Sequence, residues 1–188
     1  HPYGFWKDSG IKIEGPATKS FTIMFLEMWN AINATDEDDT DVEKYLPDFH
    51  YEAKENCFIQ PYADNPIDDE QVGENVYLNL VERAEKYIYI STPYLILTEE
   101  MTHALCLAAK RGVNVVILTP GIPDKKTVYL MTRANYRELV RSGVRIFEFT
   151  PGFCHAKQCV SDDIVATCGT INLDFRSLYH HFENGCLI

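Results

Sequence analysis

The sequence predicts an α/β fold, a mixed β-sheet flanked by helices. From residue 69 onward, stretches of helical period alternate with short apolar, β-branched runs. Towards the end of the chain, strand-like runs cluster instead of alternating with long helices. The chain of 188 residues is 46 % apolar and 12 % aromatic, which is enough to bury one full core. Helix–strand–helix–strand–helix–strand, closed by a strand cluster, is the order of an α/β sandwich with a mixed sheet. No tandem repeat interrupts it.

Taken in order, residues 11–14 (Ile-Lys-Ile-Glu) alternate and read as a strand end. Gly15-Pro16 then opens a helix, since proline is tolerated in the first turn. Phe21, Met24, Phe25, Met28, Trp29 and Ile32 recur at helical spacing and form an apolar stripe, expected to face a core. Thr35 to Asp41 is acidic; it lacks the glycine and closing glutamate of a calcium loop and reads as a solvated linker. Residues 42–69 carry prolines 47, 61 and 66 and predict a connection with one strand at 55–60.

The regular part follows. A helix is expected over residues 69–85, a strand over Tyr87–Ser91, and a helix from Thr98 to Arg111. Thr98 suits the N-cap, Glu99 and Glu100 suit the positive end, and Gly112 suits the stop. Val113–Thr119 is an apolar, β-branched strand. A helix over Lys126–Arg141 ends at Ser142-Gly143 and leads to a strand at Val144–Thr150. Two short strands, His155–Ser161 and Ile164–Thr167, flank Asp162-Asp163, and Glu183–Ile188 adds one more.

Charge and composition restrict the function. A net charge of −11 argues against a non-specific nucleic-acid binder and against docking on anionic lipid by charge alone. No apolar run reaches the roughly 18 residues of a membrane span, and His1-Pro2-Tyr3-Gly4 does not resemble a signal peptide, so this stretch is expected to be soluble. Six cysteines (57, 106, 154, 159, 168 and 186) form no C-x-x-C pair and are expected as reduced thiols. Cys154, His155, Cys159 and Cys168 do not match a zinc ribbon or finger, and Lys157 would place a charge beside the metal, so no metal site is expected.

The candidate chemistry lies near the end of the chain. His155 and Lys157, two apart on a strand, point to one face. An imidazole there attacks phosphorus or moves a proton, while the ammonium neutralises non-bridging oxygens, which suits a phosphate ester. Asp162 is placed to anchor the lysine or the turn. Gly169-Thr170-Ile171-Asn172 offers close backbone approach and hydroxyl and amide donors for phosphate oxygens. Glu183 is a candidate acceptor for the second ring proton of His155. Each residue alone has an ordinary alternative: a turn at Asp162-Asp163, a bulge at Gly169, a cap at Asn172, a surface charge at Glu183. His180 and His181, being adjacent, diverge and are not expected to act.

The complete spacing is specific: His-x-Lys, four residues, Asp, six residues, Gly, and Asn three later. These residues resemble the HKD motif of the phospholipase D superfamily. Asn172-Leu173-Asp174-Phe175-Arg176-Ser177 and Phe182-Glu183 resemble the segment that follows this motif in bacterial cardiolipin synthases. So do Phe5-Trp6-Lys7-Asp8 with Ile13-Glu14-Gly15-Pro16-Ala17, Phe25 to Asn30, Gln60-Pro61-Tyr62, Ser91 to Tyr94, Ala108 to Val113, and Thr119 to Asp124. Gln158 and Cys168 stand where the family more often carries a hydroxyl or aliphatic residue, a departure that bears on packing more than on mechanism.

The resemblance implies a phospholipase D-like α-β-α sandwich and two HKD motifs per full chain, one in each pseudo-symmetric half. This sequence holds one. Residues 1–33 resemble a remnant of the first half, 34–69 a connecting segment, and 70–188 the second half. By resemblance the catalytic set is His155, Lys157, Asp162 and Glu183, and the phosphate-binding set is Lys157, Gly169, Thr170 and Asn172. The implied reaction joins two phosphatidylglycerol molecules, giving cardiolipin and glycerol through a phosphohistidine. His155 would be the acid/base, and the nucleophile would belong to the missing N-terminal HKD half. No cofactor is implied. The implied partners are the phospholipid substrate, that missing half and a bacterial membrane surface reached through the parent, with the catalytic part facing the cytoplasm; nucleic acid is not among them. Two other readings remain: a dimeric one-motif phosphodiesterase or nuclease, and a non-catalytic phosphate-binding module.

Overall fold

The computed structural model describes residues 2–32, 41–48, 50–54 and 57–188. The expected acidic linker lies almost wholly outside the described residues. The elements run β1 (Phe5–Lys7), α1 (Thr18–Ile32), a short 3-10 turn at Val42–Tyr45, β2 (Gln60–Asp64), α2 (Val72–Arg83), β3 (Tyr87–Ser91), β4 (Leu95–Ile96), α3 (Glu99–Lys110), β5 (Asn114–Pro120), α4 (Lys126–Arg141), β6 (Arg145–Phe149), β7 (Gly152–Cys154), β8 (Gln158–Ser161), β9 (Val165–Gly169), β10 (Leu173–Asp174), α5 (Phe175–His180) and β11 (Glu183–Leu187).

Seven strands form the main sheet in the order β2-β11-β9-β8-β3-β5-β6. β3, β5 and β6 are parallel, joined through α3 and α4, as β-helix-β alternation requires. β8, β9, β11 and β2 continue the sheet antiparallel. The sheet is therefore mixed, as the sequence predicts. Its core pairs Ile88, Ile90, Val115 and Ile117 of the central strands with Val81, Met101, Leu105 and Leu139 of the helices, all buried.

Local chemistry accounts for the element ends. The Thr98 hydroxyl accepts from Met101 N at 3.2 Å and caps α3. Gly112 and Gly143 follow α3 and α4 with φ of 96° and 104°, the left-handed conformation that closes a helix. At the β8–β9 turn, Asp162 and Asp163 take φ of 57° and 60°, and Ile164 N bonds Ser161 O at 3.0 Å. Two consecutive left-handed residues make the hairpin turn whose twist matches the strands, and aspartate tolerates that region.

Several expectations are corrected. Residues 11–14 form no strand; the first strand is Phe5–Lys7, paired parallel with β7. Alternation alone does not supply a neighbour to pair with. Of the strand expected at 55–60, residues 55 and 56 lie outside the described residues, and among the others the strand starts at Gln60 and lies against β11. The strand expected from His155 begins regularly at Gln158, because His155 N is taken by Lys7 O at 2.6 Å. The apolar stripe of α1 is not core: only Leu26 is buried there, while Phe25, Trp29 and Ile32 are 52 %, 53 % and 65 % exposed. Helical period reveals an apolar face but not what covers it.

α2 is capped from a distance. Asp64 Oδ1 accepts from Gly73 N at 2.7 Å, and no local side chain caps the helix. Burial pushes the Asp64 carboxyl up to about 6, with Glu183, its partner across β2–β11, adding to the rise. The protonated form therefore favours the fold. This contribution is whole below the ordinary value of 3.8 and is lost as pH rises through about 6. Asp64→Asn is expected to raise stability at pH 8 by about 1–3 kcal/mol and to change it little at pH 4. Urea unfolding of both proteins at the two pH values checks this; an equal shift at both would contradict it.

Candidate phosphate-transfer site

The site sits at the carboxyl ends of the parallel strands, where ligands bind in open α/β sheets. Ser91, at the end of β3, pairs with Gln158, so the His155–Lys157 segment enters the sheet at that end. β7 is held nearby, Gly152 O accepting from Gly121 N at 3.2 Å just past β5. β1 then pairs with β7 in register Phe5↔Gly152, Trp6↔Phe153 and Lys7↔Cys154. This pairing brings the N-terminal segment over the histidine.

His155 Nδ1 lies 3.0 Å from Asp8 Oδ2. The His155 ring is also flanked by Trp6, with centroids 5.2 Å apart, and by Phe153, at 5.9 Å. Partial burial pushes the Asp8 carboxyl up, but the His155 bond, the Ser9 amide and the charges of His155 and Lys157 outweigh it and hold the carboxyl below its usual range. An ionised carboxylate only accepts, so Nδ1 carries the proton of that bond. In the neutral ring Nε2 is then the basic nitrogen, the tautomer a proton carrier or nucleophile needs.

Lys157 is 8 % exposed, and its Nζ donates to His155 O at 2.6 Å. Burial pulls its ammonium below the usual lysine range, while Asp8 and Glu183 oppose the fall. One of its three protons is committed to that carbonyl, which leaves donor capacity for an oxyanion. The ammonium thus rests on the histidine's own backbone carbonyl, and both groups lie in the field of Asp8.

Asn172 belongs to a different chain of contacts. Its Nδ2 donates to Ser177 Oγ at 2.8 Å, and Ser177 Oγ donates to Glu183 Oε1 at 3.1 Å. Asn172 Oδ1 is buried with no hydrogen-bond partner among the described residues. His181 Nδ1 lies 3.3 Å from the same Glu183 oxygen. Glu183 therefore does not take the second ring proton of His155; Asp8 does, from 147 residues away in sequence.

The remaining candidates have structural partners. The Asp162 carboxylate accepts from the amides of Glu85, Lys86 and Tyr87 at 2.7, 3.0 and 2.7 Å. Of its two expected roles it takes the turn, at the far end of β8 from Lys157. Those amide bonds hold its carboxyl below the ordinary value of 3.8. Its stabilisation is present above that value and fades as pH falls through the lowered one. Asp162→Ala is expected to cost about 1–3 kcal/mol near neutral pH, with the loss shrinking in acid; a thermal melt as stable as the parent's at pH 7 would contradict it.

Gly169 lies where β9 and β11 touch: a Cβ there would sit 2.3 Å from Asn184 O. Thr170 bonds the same residue, its amide donating to Asn184 O at 2.8 Å and its hydroxyl accepting from Asn184 N at 3.0 Å. Both shape the end of β9 beside Lys157, whose carbonyl accepts from Gly169 N at 3.3 Å. Asp8 and Ser177 are the residues that single-residue reading passed over. Only their place in the longer family-like segments marks them.

Comparison with known proteins gives four findings. Residues 77–188 match the family described as cardiolipin synthase, PLD-like domain. An uncharacterized protein of Streptococcus mutans is 51 % identical over 181 residues, 96 % of this chain and 38 % of its own length. A cardiolipin synthase of Halalkalibacterium halodurans is 32 % identical over 182 residues, 96 % of this chain and 35 % of its own length. The chain thus spans little more than a third of these relatives. Among solved structures, a phospholipase D family member, Nuc from Salmonella typhimurium, aligns with a TM-score of 0.56 at 20 % identity, over 70 % of this chain and 82 % of that one. At that identity the likeness shows the fold alone.

Proposed function

Because the chain belongs to the family of cardiolipin synthase PLD-like domains, we propose that it supplies half of a phosphatidyl-transfer site whose other half carries a second HKD motif. The observation that carries this reading is the Asp8–His155 bond. A carboxylate on the segment resembling the first half fixes the tautomer of a histidine in the second half. By the same exchange, Glu183 would orient the histidine of the missing half, which fits its lack of a bond to His155.

In the proposed reaction the missing histidine attacks the phosphorus of phosphatidylglycerol, forming a P–N bond. His155 protonates the departing glycerol oxygen as the P–O bond breaks. His155 then takes the proton of a glycerol hydroxyl on a second phosphatidylglycerol. That oxygen displaces the first histidine and gives cardiolipin. Lys157 holds the non-bridging oxygens, and the Asn172 amide assists once it turns from Ser177. Asp162, Gly169 and Thr170 serve this site by holding the strands that carry it.

The proposed setting is a phospholipid surface reached through the longer parent chain. Among the described residues no helix is long and apolar enough to cross a membrane. The expectation that nucleic acid is not a substrate rests on the charge of −11 alone; the shared fold does not decide it.

A shared site should lose its rate when halved. The 188-residue chain alone is expected to show no phosphatidyl transfer in vesicles of phosphatidylglycerol, and a longer chain with both motifs is expected to make cardiolipin. Lipid chromatography of the products checks both. Robust cardiolipin formation by the short chain would sink the two-half reading.

A further inference from the structure

A cavity of about 440 Å³ opens between the N-terminal segment and strands β9 and β11 of the sheet. Ile11, Ile13 and Phe21 form one wall, and Cys168 and Cys186, opposite each other on β9 and β11, form the other. Its size falls within the roughly 300–1,000 Å³ typical of ligand cavities.

Three residues of the lining neighbour site residues along the chain or through a hydrogen bond. Ser9, which lines it, follows the carboxylate that holds His155. Asn184 follows Glu183. Gly169, also in the lining, donates its amide to the carbonyl of Lys157. The Ser9 hydroxyl oxygen is buried with no hydrogen-bond partner among the described residues. A buried hydroxyl without a partner in the wall of an apolar space suits a ligand with a lone acceptor at the head of an apolar chain.

We propose that this cavity is a subsite for one acyl chain of the phospholipid whose phosphate rests on Lys157. Ser9 donates to the ester carbonyl, and Ile11, Ile13, Phe21 and Cys168 enclose the first methylenes. The proposal rests on the phosphate-site reading above and extends it from the phosphate to the hydrophobic part of the substrate. A headgroup alone would leave Ser9 unpaired and the apolar walls wet; a lipid tail removes both costs.

The test compares two probes on the 188-residue chain by ligand-observed NMR titration: glycerophosphoglycerol, which has no chain, and octanoyl lysophosphatidylglycerol, kept below its micelle-forming concentration. The chain is expected to bind the octanoyl compound about tenfold or more tightly, since each buried methylene adds to affinity. Cys168→Phe fills the cavity, and Ile11→Asp puts a charge in its wall at a position that is 44 % exposed. In both variants the preference should fall to about twofold or less while glycerophosphoglycerol binds as before. Equal binding of the two probes by the unaltered chain overturns the subsite and leaves the phosphate site standing. So does an unchanged preference in a folded variant. Failure of both probes to bind overturns both.

Discussion

On the proposed reaction, replacing His155 by alanine in a longer chain carrying both motifs is expected to lower cardiolipin formation by about 10³-fold or more. A positioned acid/base supplies about 10²–10⁴ by itself, and in the proposed reaction the same ring acts in both half-reactions. Asp8→Asn is the sharper test. The amide keeps the size of the side chain but can donate to Nδ1, which would strand the ring in the wrong tautomer with Nε2 protonated. A fall of about 10²-fold or more in kcat, with KM changed little, is expected, because Asp8 meets the ring and not the lipid. Asp8 lies in a segment where no single residue announces a role. Normal turnover in Asp8→Asn would remove the reason for joining the N-terminal segment to the site. Normal turnover in His155→Ala would leave only the phosphate-binding module.

The parts of the fold that the sequence reveals are those governed by local physics. β3 and α4 fall where period and composition place them, and Thr98 caps α3 because its hydroxyl oxygen meets a free amide of the first turn. The site is less legible because its contacts are non-local. His155 and Lys157 stand together in sequence, yet the carboxylate that meets His155 comes from the first ten residues. The two-residue strands β4 and β10 exist because they pair with each other, Leu95 with Leu173 and Ile96 with Asp174, and neither carries a pattern long enough to be read alone. Asp162 shows the converse. In the motif it looks chemical, but its position in a left-handed turn beside three free amides makes it a structural tie. The exposed face of α1 belongs to the same class of problem, since periodicity says that Phe25 and Trp29 share a side and nothing about their neighbours.

Gly152→Ala is expected to disable the site without unfolding the domain. A Cβ at Gly152 would stand 2.0 Å from Phe5 O and 2.4 Å from Phe5 N, and those are backbone atoms that cannot swing aside. β1 must therefore leave β7. With it go the bond from His155 N to Lys7 O and the contact between Asp8 and the imidazole. The seven-stranded sheet contains neither β1 nor β7, so the main core is not touched. The expected stability loss is about 1–3 kcal/mol, as for other overpacked positions. The catalytic loss should instead match that of Asp8→Asn, about 10²-fold or more. Gly10→Ala is the matched control for stability, since a Cβ at Gly10 meets nothing within 4 Å, and it should leave the stability and the protection of the His155 amide unchanged. Hydrogen exchange separates the causes: the His155 amide should lose protection in Gly152→Ala while the amides of β3 and β5 keep theirs. If the His155 amide stays protected and turnover stays normal, the N-terminal strand is not what holds Asp8 against the ring.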